Sequence, residues 1–299
     1  MILVTGGTGF VGKVLIRHLA ELSQPVRLLL RPSEKSPSLP FGVPVEVTVS
    51  GLADERGLRA AMKGVDVLFH LASAERQGHH GNLNLTDVQG TENVIRAARD
   101  AGVERIFYLS HVNADKSSAF PVMKAKALAE NALLSGGVPY TIFKSTVLFG
   151  EGDQFTLPLA RLLRSSPGLF LMPGDGQVML QPLWVEDLVT CMTVCLEDPQ
   201  TVNQVFKVGG MEFFSFKEIL AILMKRLKIR RWGIPLPPAY FRIAALLADQ
   251  VRKGGLPISL YWMDYLSADQ TCAVDSMPRT FGLMPARFQN HLDYLNNLP

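Results

Sequence analysis

The chain opens M-I-L-V-T-G-G-T-G-F-V-G, Met1 to Gly12. The apolar and β-branched run Ile2–Thr5 predicts a short buried strand. Gly6, Gly9 and Gly12 follow at G-x-x-G-x-x-G spacing, and 11–22 then repeats its apolar residues at helical period. A glycine permits a tight turn here, and missing side chains let the backbone approach a pyrophosphate. The helix start behind it offers unpaired N–H groups and the positive end of a dipole. At the first strand-to-helix turn, this predicts a dinucleotide site built from Gly6, Thr8, Gly9, Phe10, Val11 and Gly12.

Outward from that turn, short apolar runs alternate with helical patterns. The runs fall at 2–5, 26–30, 45–49, 65–70, 106–109 and 140–143. Near-continuous apolar strands are those covered on both faces. Strand, helix, strand in alternation predicts right-handed crossovers and an α/β fold, a Rossmann-type doubly wound parallel sheet spanning residues 1–150. Beyond Gly150 the prolines and glycines multiply, as in Pro173-Gly174-Asp175-Gly176, and helical stretches recur near 185–196, 215–227 and 239–251. Residues 151–299 read as a smaller mixed α/β cap, interleaved with the first domain and carrying the substrate or interaction region.

The second strand ends Leu30-Arg31-Pro32. A carboxylate there would hold a ribose hydroxyl and repel a 2′-phosphate, whereas a guanidinium binds that phosphate bidentately. Arg31 therefore favours NADP(H) over NAD(H). With 47% hydrophobic and 19% charged residues the chain can bury a sizeable core, and a net charge of +3 does not call for nucleic acid. Three cysteines give no disulfide framework. Cys191 and Cys195, four apart in a helical stretch, read as buried small apolar residues. His79 and His80 have no companions at ligand spacing, so no metal site is expected. The opening strand leaves no room for a secretory leader, and no apolar run is long enough to span a bilayer, so the expected location is cytoplasmic.

Further stretches carry a resemblance: V-D-V-L-F-H-L-A (65–72), G-T-E-N-V-I-R-A-A (90–98), Y-L-S-H (108–111), Y-T-I-F-K (140–144), P-L-W-V-E-D-L (182–188) and F-K-V-G-G (206–210). Together with the glycine turn they resemble the atypical or extended short-chain dehydrogenase/reductase superfamily. The subgroup they look most like is that of the nucleotide-binding accessory subunit of respiratory complex I, whose C-terminal pattern is similar to 281–285. The resemblance implies cofactor contacts from Leu52, Leu71 and Ala72, and a catalytic Ser, Tyr and Lys, with Tyr and Lys in Y-x-x-x-K spacing. Ser110 matches the serine and Lys124 the lysine. The tyrosine position is then Phe120, which has no proton to give, and proton transfer of this kind is worth roughly 10²–10⁴-fold in rate. Where relatives carry an Asp for the adenine, this chain has Gly51. Asp54 reads as a helix N-cap.

Two functions follow. One is an NADP(H)-binding protein with a structural, sensing or quinone- and respiration-associated role. The other is an active NADP(H)-dependent oxidoreductase or isomerase on a small hydrophobic substrate, using Lys124 and Ser110, with Tyr108 or His111 as further proton donors. The run M-K-R-L-K-I-R-R-W, 224–232, carries five cations, and Tyr240, Phe241, Ile243, Ala244 and Leu247 can share an apolar stripe after it. Such a pair of features fits either a solvated edge beside a packed helix or a peripheral membrane or respiratory-complex contact.

Overall fold

A computed structural model describes residues 1–33, 42–75, 77, 81–237, 240 and 265–297. His79, His80 and the helix expected at 239–251, Phe241, Ile243, Ala244 and Leu247 included, lie outside the described residues. The chain divides into two compact units: Met1–Glu75, Gly81–Ser145 and Leu188–Lys207 form the first, and Arg76–His80, Thr146–Asp187 and Val208–Pro299 the second.

The elements of the first half run β1 (Ile2–Thr5), α1 (Phe10–Glu21), β2 (Val26–Leu30), β3 (Glu46–Val49), α2 (Glu55–Ala61) and β4 (Val67–His70). After them come α3 (Gly90–Ala101), β5 (Arg105–His111), α4 (Pro121–Ser135) and β6 (Tyr140–Ser145). The second half holds β7 (Leu148–Phe149), α5 (Thr156–Ser165), β8 (Leu169–Pro173), β9 (Met179–Leu180), β10 (Leu183–Trp184) and α6 (Val185–Glu197). It continues through β11 (Gln204–Val208), β12 (Phe214–Ser215), α7 (Phe216–Arg226), β13 (Trp232–Leu236) and α8 (Ser276–Phe281).

The first unit is built on a seven-stranded parallel sheet in the order β11-β6-β5-β4-β1-β2-β3. Register is direct: Ile2 pairs with Val26 and with Val67, and Ile106 with Tyr140. Strand order reverses between β1 and β4, the place where doubly wound sheets open a crevice at the carboxyl ends of their strands. Leu58, Met62, Leu68, Val94, Ala98, Ile106 and Leu133 are buried together where α2, α3 and α4 cover one face. Asp54 caps α2 as expected, accepting the Gly57 N–H at 3.0 Å. The helix after β4 comes in two pieces, a π-helical stretch Asn84–Gln89 running into α3. Arg105 is buried in β5; its guanidinium lies 4.5 Å from the Phe107 ring and donates to Thr141 Oγ1, Thr201 Oγ1 and the Cys195 carbonyl.

Among its described residues the second unit has three two-stranded ribbons, β7–β10 and β8–β13 parallel and β9–β12 antiparallel. Phe149, Phe155, Leu159, Phe170, Phe216, Leu223 and Phe288 form its core. Asp153 is buried and takes the N–H groups of Gly150, Phe155 and Leu157 and the hydroxyls of Thr156 and Tyr294. Ser215 and Glu218 close a capping box on α7. Trp184 stacks on His291 at 3.9 Å, and Asp187 accepts the Ala286 N–H at 2.7 Å, so both serve packing. Among the described residues no helix is long and apolar enough to cross a membrane, and no cluster of side chains could hold a metal ion.

Candidate functional site

Gly6 stands at φ +72°, a left-handed conformation that a side chain disfavours. A Cβ on Gly6 would lie 2.6 Å from the Leu71 carbonyl, and one on Gly12 would lie 2.4 Å from the Gly6 oxygen. These contacts press the start of α1 against β1 and against the loop leaving β4. Gly9 is the N-cap of α1 and supplies no side-chain cap, and the first turn holds no acidic residue. The N–H groups at this helix start are thus unspent on capping, and the positive dipole end is uncompensated. Thr8 is exposed beside them, with Phe10 and Val11 half-buried. Bare backbone and a free helix N-terminus suit the diphosphate of a dinucleotide.

The other expected contacts line the same carboxyl edge. Arg31 is exposed directly after β2. At the end of β3, a Cβ on Gly51 would meet nothing within 4 Å. The Leu52 carbonyl is already taken by Asn93 Nδ2 at 2.8 Å. Leu71 and Ala72 are half-buried beside the glycine turn, tied by N–H bonds to the Thr5 carbonyl and to Thr5 Oγ1.

From that edge a hydrogen-bond chain runs inward. Thr91 Oγ1 donates to the Asp87 carbonyl at 2.6 Å, so it can only accept from His70 Nε2, 3.0 Å away. His70 is then the Nε2–H tautomer, and Nδ1 accepts from Thr5 Oγ1 at 2.7 Å. Complete burial, together with the nearby Lys126 ammonium, pushes its pKa down to about 3. An unfolded histidine, with its ordinary value near 6.5, binds a proton that the folded one refuses. Stability contributed by neutral His70 is therefore intact above pH 6.5 and is lost as pH falls from there towards 3. Urea denaturation across that range should show a slope about 1.4 kcal/mol per pH unit steeper for the parent than for His70→Gln; superimposable profiles would contradict the assignment.

The side chains expected to do chemistry stand in different surroundings. Lys124 lies on the outer side of α4, exposed. Two residues on, and about 200° around the helix, Lys126 is buried. Its ammonium donates to the Leu109 carbonyl at 3.3 Å, lies 3.7 Å from Asp87 Oδ1 and sits 5.2 Å from the centre of the Tyr108 ring. The inward-facing lysine is thus Lys126, and the position four before it is Val122, buried and without a hydroxyl. Phe120 is the N-cap of α4, ahead of Pro121. Burial pulls the Lys126 pKa down, but Tyr108, Asp87 and Glu75 outweigh it and the net displacement is upward. Asp87, in the π-helical stretch, is pushed up by burial against the opposing pull of Lys126, Ser73 and the Ala74 N–H. Burial also pushes the Tyr108 phenol up to about 12, and among the described residues its hydroxyl makes no well-formed hydrogen bond.

Ser110 is buried, with its hydroxyl donating to Glu130 Oε1; the other Glu130 oxygen is 2.9 Å from Lys144 Nζ. The serine is thereby bound to α4 rather than directed at Lys126. His111, the last residue of β5, has Nε2 3.6 Å from Glu75 Oε2, both side chains partly exposed. Sequence reasoning missed Lys126, Asp87, Glu130, Glu75 and His70. The Lys126 and Glu130 pair, four apart on the face shared with Val122 and Leu133, carried a signal that helical periodicity could have found.

The family model described as NAD(P)H-binding matches residues 6–156. The chain is 26% identical over 280 residues to a mitochondrial NADH dehydrogenase [ubiquinone] 1 alpha subcomplex subunit 9 of Arabidopsis thaliana, covering 89% of this chain and 68% of that protein. It is 29% identical to an NAD(P)H azoreductase of Xenophilus azovorans, covering 96% of this chain and 94% of the relative. Of the first four curated relatives it spans between 52% and 68% of their length. In structure it resembles the Citrobacter sp. triphenylmethane reductase complexed with NADP(H), with a TM-score of 0.77 and 22% identity over 98% of this chain and 99% of that one. The chain belongs to the NAD(P)H-binding family, with atypical short-chain dehydrogenase/reductase proteins among its homologues.

Proposed function

We propose that this chain is an NADP(H)-binding protein whose site is not that of a tyrosine-dependent carbonyl reductase. The observation that carries the binding is the start of α1: an uncapped helix N-terminus with no acid in its first turn, behind glycines packed too closely for any side chain. Arg31 takes the 2′-phosphate, Leu52 flanks the adenine, and Leu71 and Ala72 lie along the path of the diphosphate towards the nicotinamide. Lys126, in place of Lys124, is the lysine on the ribose side. When bound, the nicotinamide supplies a hydride.

Neither Phe120 nor Val122 can protonate a carbonyl oxygen, and Ser110 is engaged with Glu130. A role in which cofactor is held for structure or sensing fits that arrangement, as does assembly into a larger respiratory complex like that named for the Arabidopsis thaliana relative. The second reading is hydride transfer to an acceptor, such as a quinone, that needs no phenolic proton. The His111 and Glu75 pair at the strand edge favours it, because an imidazole there can exchange a proton with solvent or substrate.

Calorimetric titration of the purified chain with NADPH and with NADH tests the binding. Tighter binding of NADPH is expected, and Arg31→Ala should weaken NADPH by about 10–100-fold, the worth of a charge-assisted bidentate contact, while leaving NADH near its parent value. Equal losses for both cofactors would overturn the 2′-phosphate assignment. No binding of either would overturn the function. Turnover with a quinone panel but not with carbonyls would select the second reading over the first.

A further inference from the structure

The ribbon β8–β13 exposes an apolar face that no described element covers. Trp232 pairs with Leu169 and Ile234 with Leu171 in register, and paired residues of parallel strands share a face. These four are 78%, 55%, 39% and 52% exposed, in the order Trp232, Leu169, Ile234, Leu171, while Phe170 and Met172 between them are buried in the core. Monomeric proteins rarely leave four large apolar side chains together in water without a use for them.

The two segments that carry this stripe are cationic, with the Asp293 carboxylate as a counter-charge on Arg226. Strand β8 leaves the C-terminal end of α5 and β13 leaves that of α7, so both helix ends lead to the end of the ribbon where Trp232 and Leu169 stand. Residues 154–174 and 219–237 contain no Asp or Glu. Arg161, Lys225, Lys228 and Arg230 are exposed there. Arg231 is anchored by the Leu163 and Arg164 carbonyls, which fixes the turn that presents Trp232.

We propose that this face, with the cations at its head, docks on an anionic lipid bilayer. Tryptophan and leucine side chains enter the interfacial zone, where an indole is at home, and each neighbouring cation is attracted by the acidic headgroups. Two observations speak against a protein in that place. The stripe of four side chains falls well short of the roughly 800 Å² per partner that a stable protein interface buries. Strand addition is also hindered, since each outer edge of the ribbon is short of one N–H. The Trp232 N–H is spent on Gly168 and the Gly174 N–H on Leu236, so alternation turns positions 173 and 235 to the outer edges, and both are proline. The proposal is independent of what the glycine turn binds.

The test is flotation of the full chain with phosphatidylcholine vesicles, with and without a third of phosphatidylglycerol. Binding is expected only with the anionic lipid and should fall in high salt. Lys228→Glu with Arg230→Glu, and separately Trp232→Ser with Leu171→Ser, should each lower binding at least about tenfold, with the circular dichroism of the parent retained. Trp232→Phe should keep binding but lose quenching by brominated lipid, a signature that general loss of structure would not give. Failure to float with anionic vesicles, or equal flotation of parent and variants, would overturn the proposal. So would a concentration-dependent dimer abolished by Trp232→Ser, or shielding of Trp232 from acrylamide in the free protein, since either gives the stripe a protein cover.

Discussion

Gly12→Ala is expected to cost at least about 100-fold in NADPH affinity, measured by calorimetry. Two effects of the added methyl oppose each other. Alanine is the better helix former by about 1 kcal/mol, and Gly12 lies inside α1. Against that, the new Cβ would stand 2.4 Å from the Gly6 oxygen and 2.7 Å from the Gly7 Cα, backbone atoms that cannot swing aside. Relief requires the first turn of α1 to move away from β1, but Leu15, Ile16 and Leu19 on the same helix are wholly buried and resist it. Overpacking of this kind costs about 1–3 kcal/mol of stability, so the propensity gain is overrun. The displaced N–H groups then lose their aim at the diphosphate. Affinity within fivefold of the parent would mean that the turn is not where the cofactor lies.

Lys126→Met is expected to destabilise the protein by about 3 kcal/mol, whereas Lys124→Met should change stability by no more than about 0.5 kcal/mol. The ammonium of Lys126 faces Asp87 at 3.7 Å in a region with almost no solvent. Its removal leaves the Asp87 carboxylate with the Ala74 N–H at 2.9 Å and the Ser73 side chain, and no cation facing it. The loss falls toward the lower end of the range for a broken buried pair because burial already raises the Asp87 pKa, so that residue can neutralise itself by taking a proton. Chemical denaturation of the two variants side by side distinguishes the lysines. Equal effects would show that the buried position of Lys126 is not what anchors this region.

The sequence announced the sheet clearly because parallel strands covered on both sides are apolar throughout, and 2–5 and 26–30 coincide with β1 and β2 to the residue. The Asp54 cap was legible too, since that residue sits directly before its helix. Matching Lys124 to the motif left open which side of the helix is apolar. In α4 both lysines lie among alanines, and only the burial of Val122, Ala129 and Leu133 tells which faces the sheet. The inner polar chain through His70 was invisible because its members come from β1, β4, the π-helical stretch and α3, and the two strands lie far from the helix in sequence. The strand at 232–236 was hidden by Pro235, which in a sequence argues against a central strand and is tolerated here on an edge. Residues 224–232 had been read as one basic run, whereas the cations end a helix and the tryptophan begins a ribbon.

The seventh strand carries a consequence for how the protein is made. Strand β11 is the neighbour of β6, yet about sixty residues separate them in the order of synthesis. A ribosome that has released only the first 150 residues presents β6 as an uncovered edge, its Ile142 and Phe143 flanked by unpaired backbone. The Arg105 guanidinium at that stage lacks Cys195 and Thr201, two of its native acceptors. The nascent chain must therefore wait in an adhesive state for its last strand, and a gene fragment cut at the apparent domain boundary inherits that state permanently.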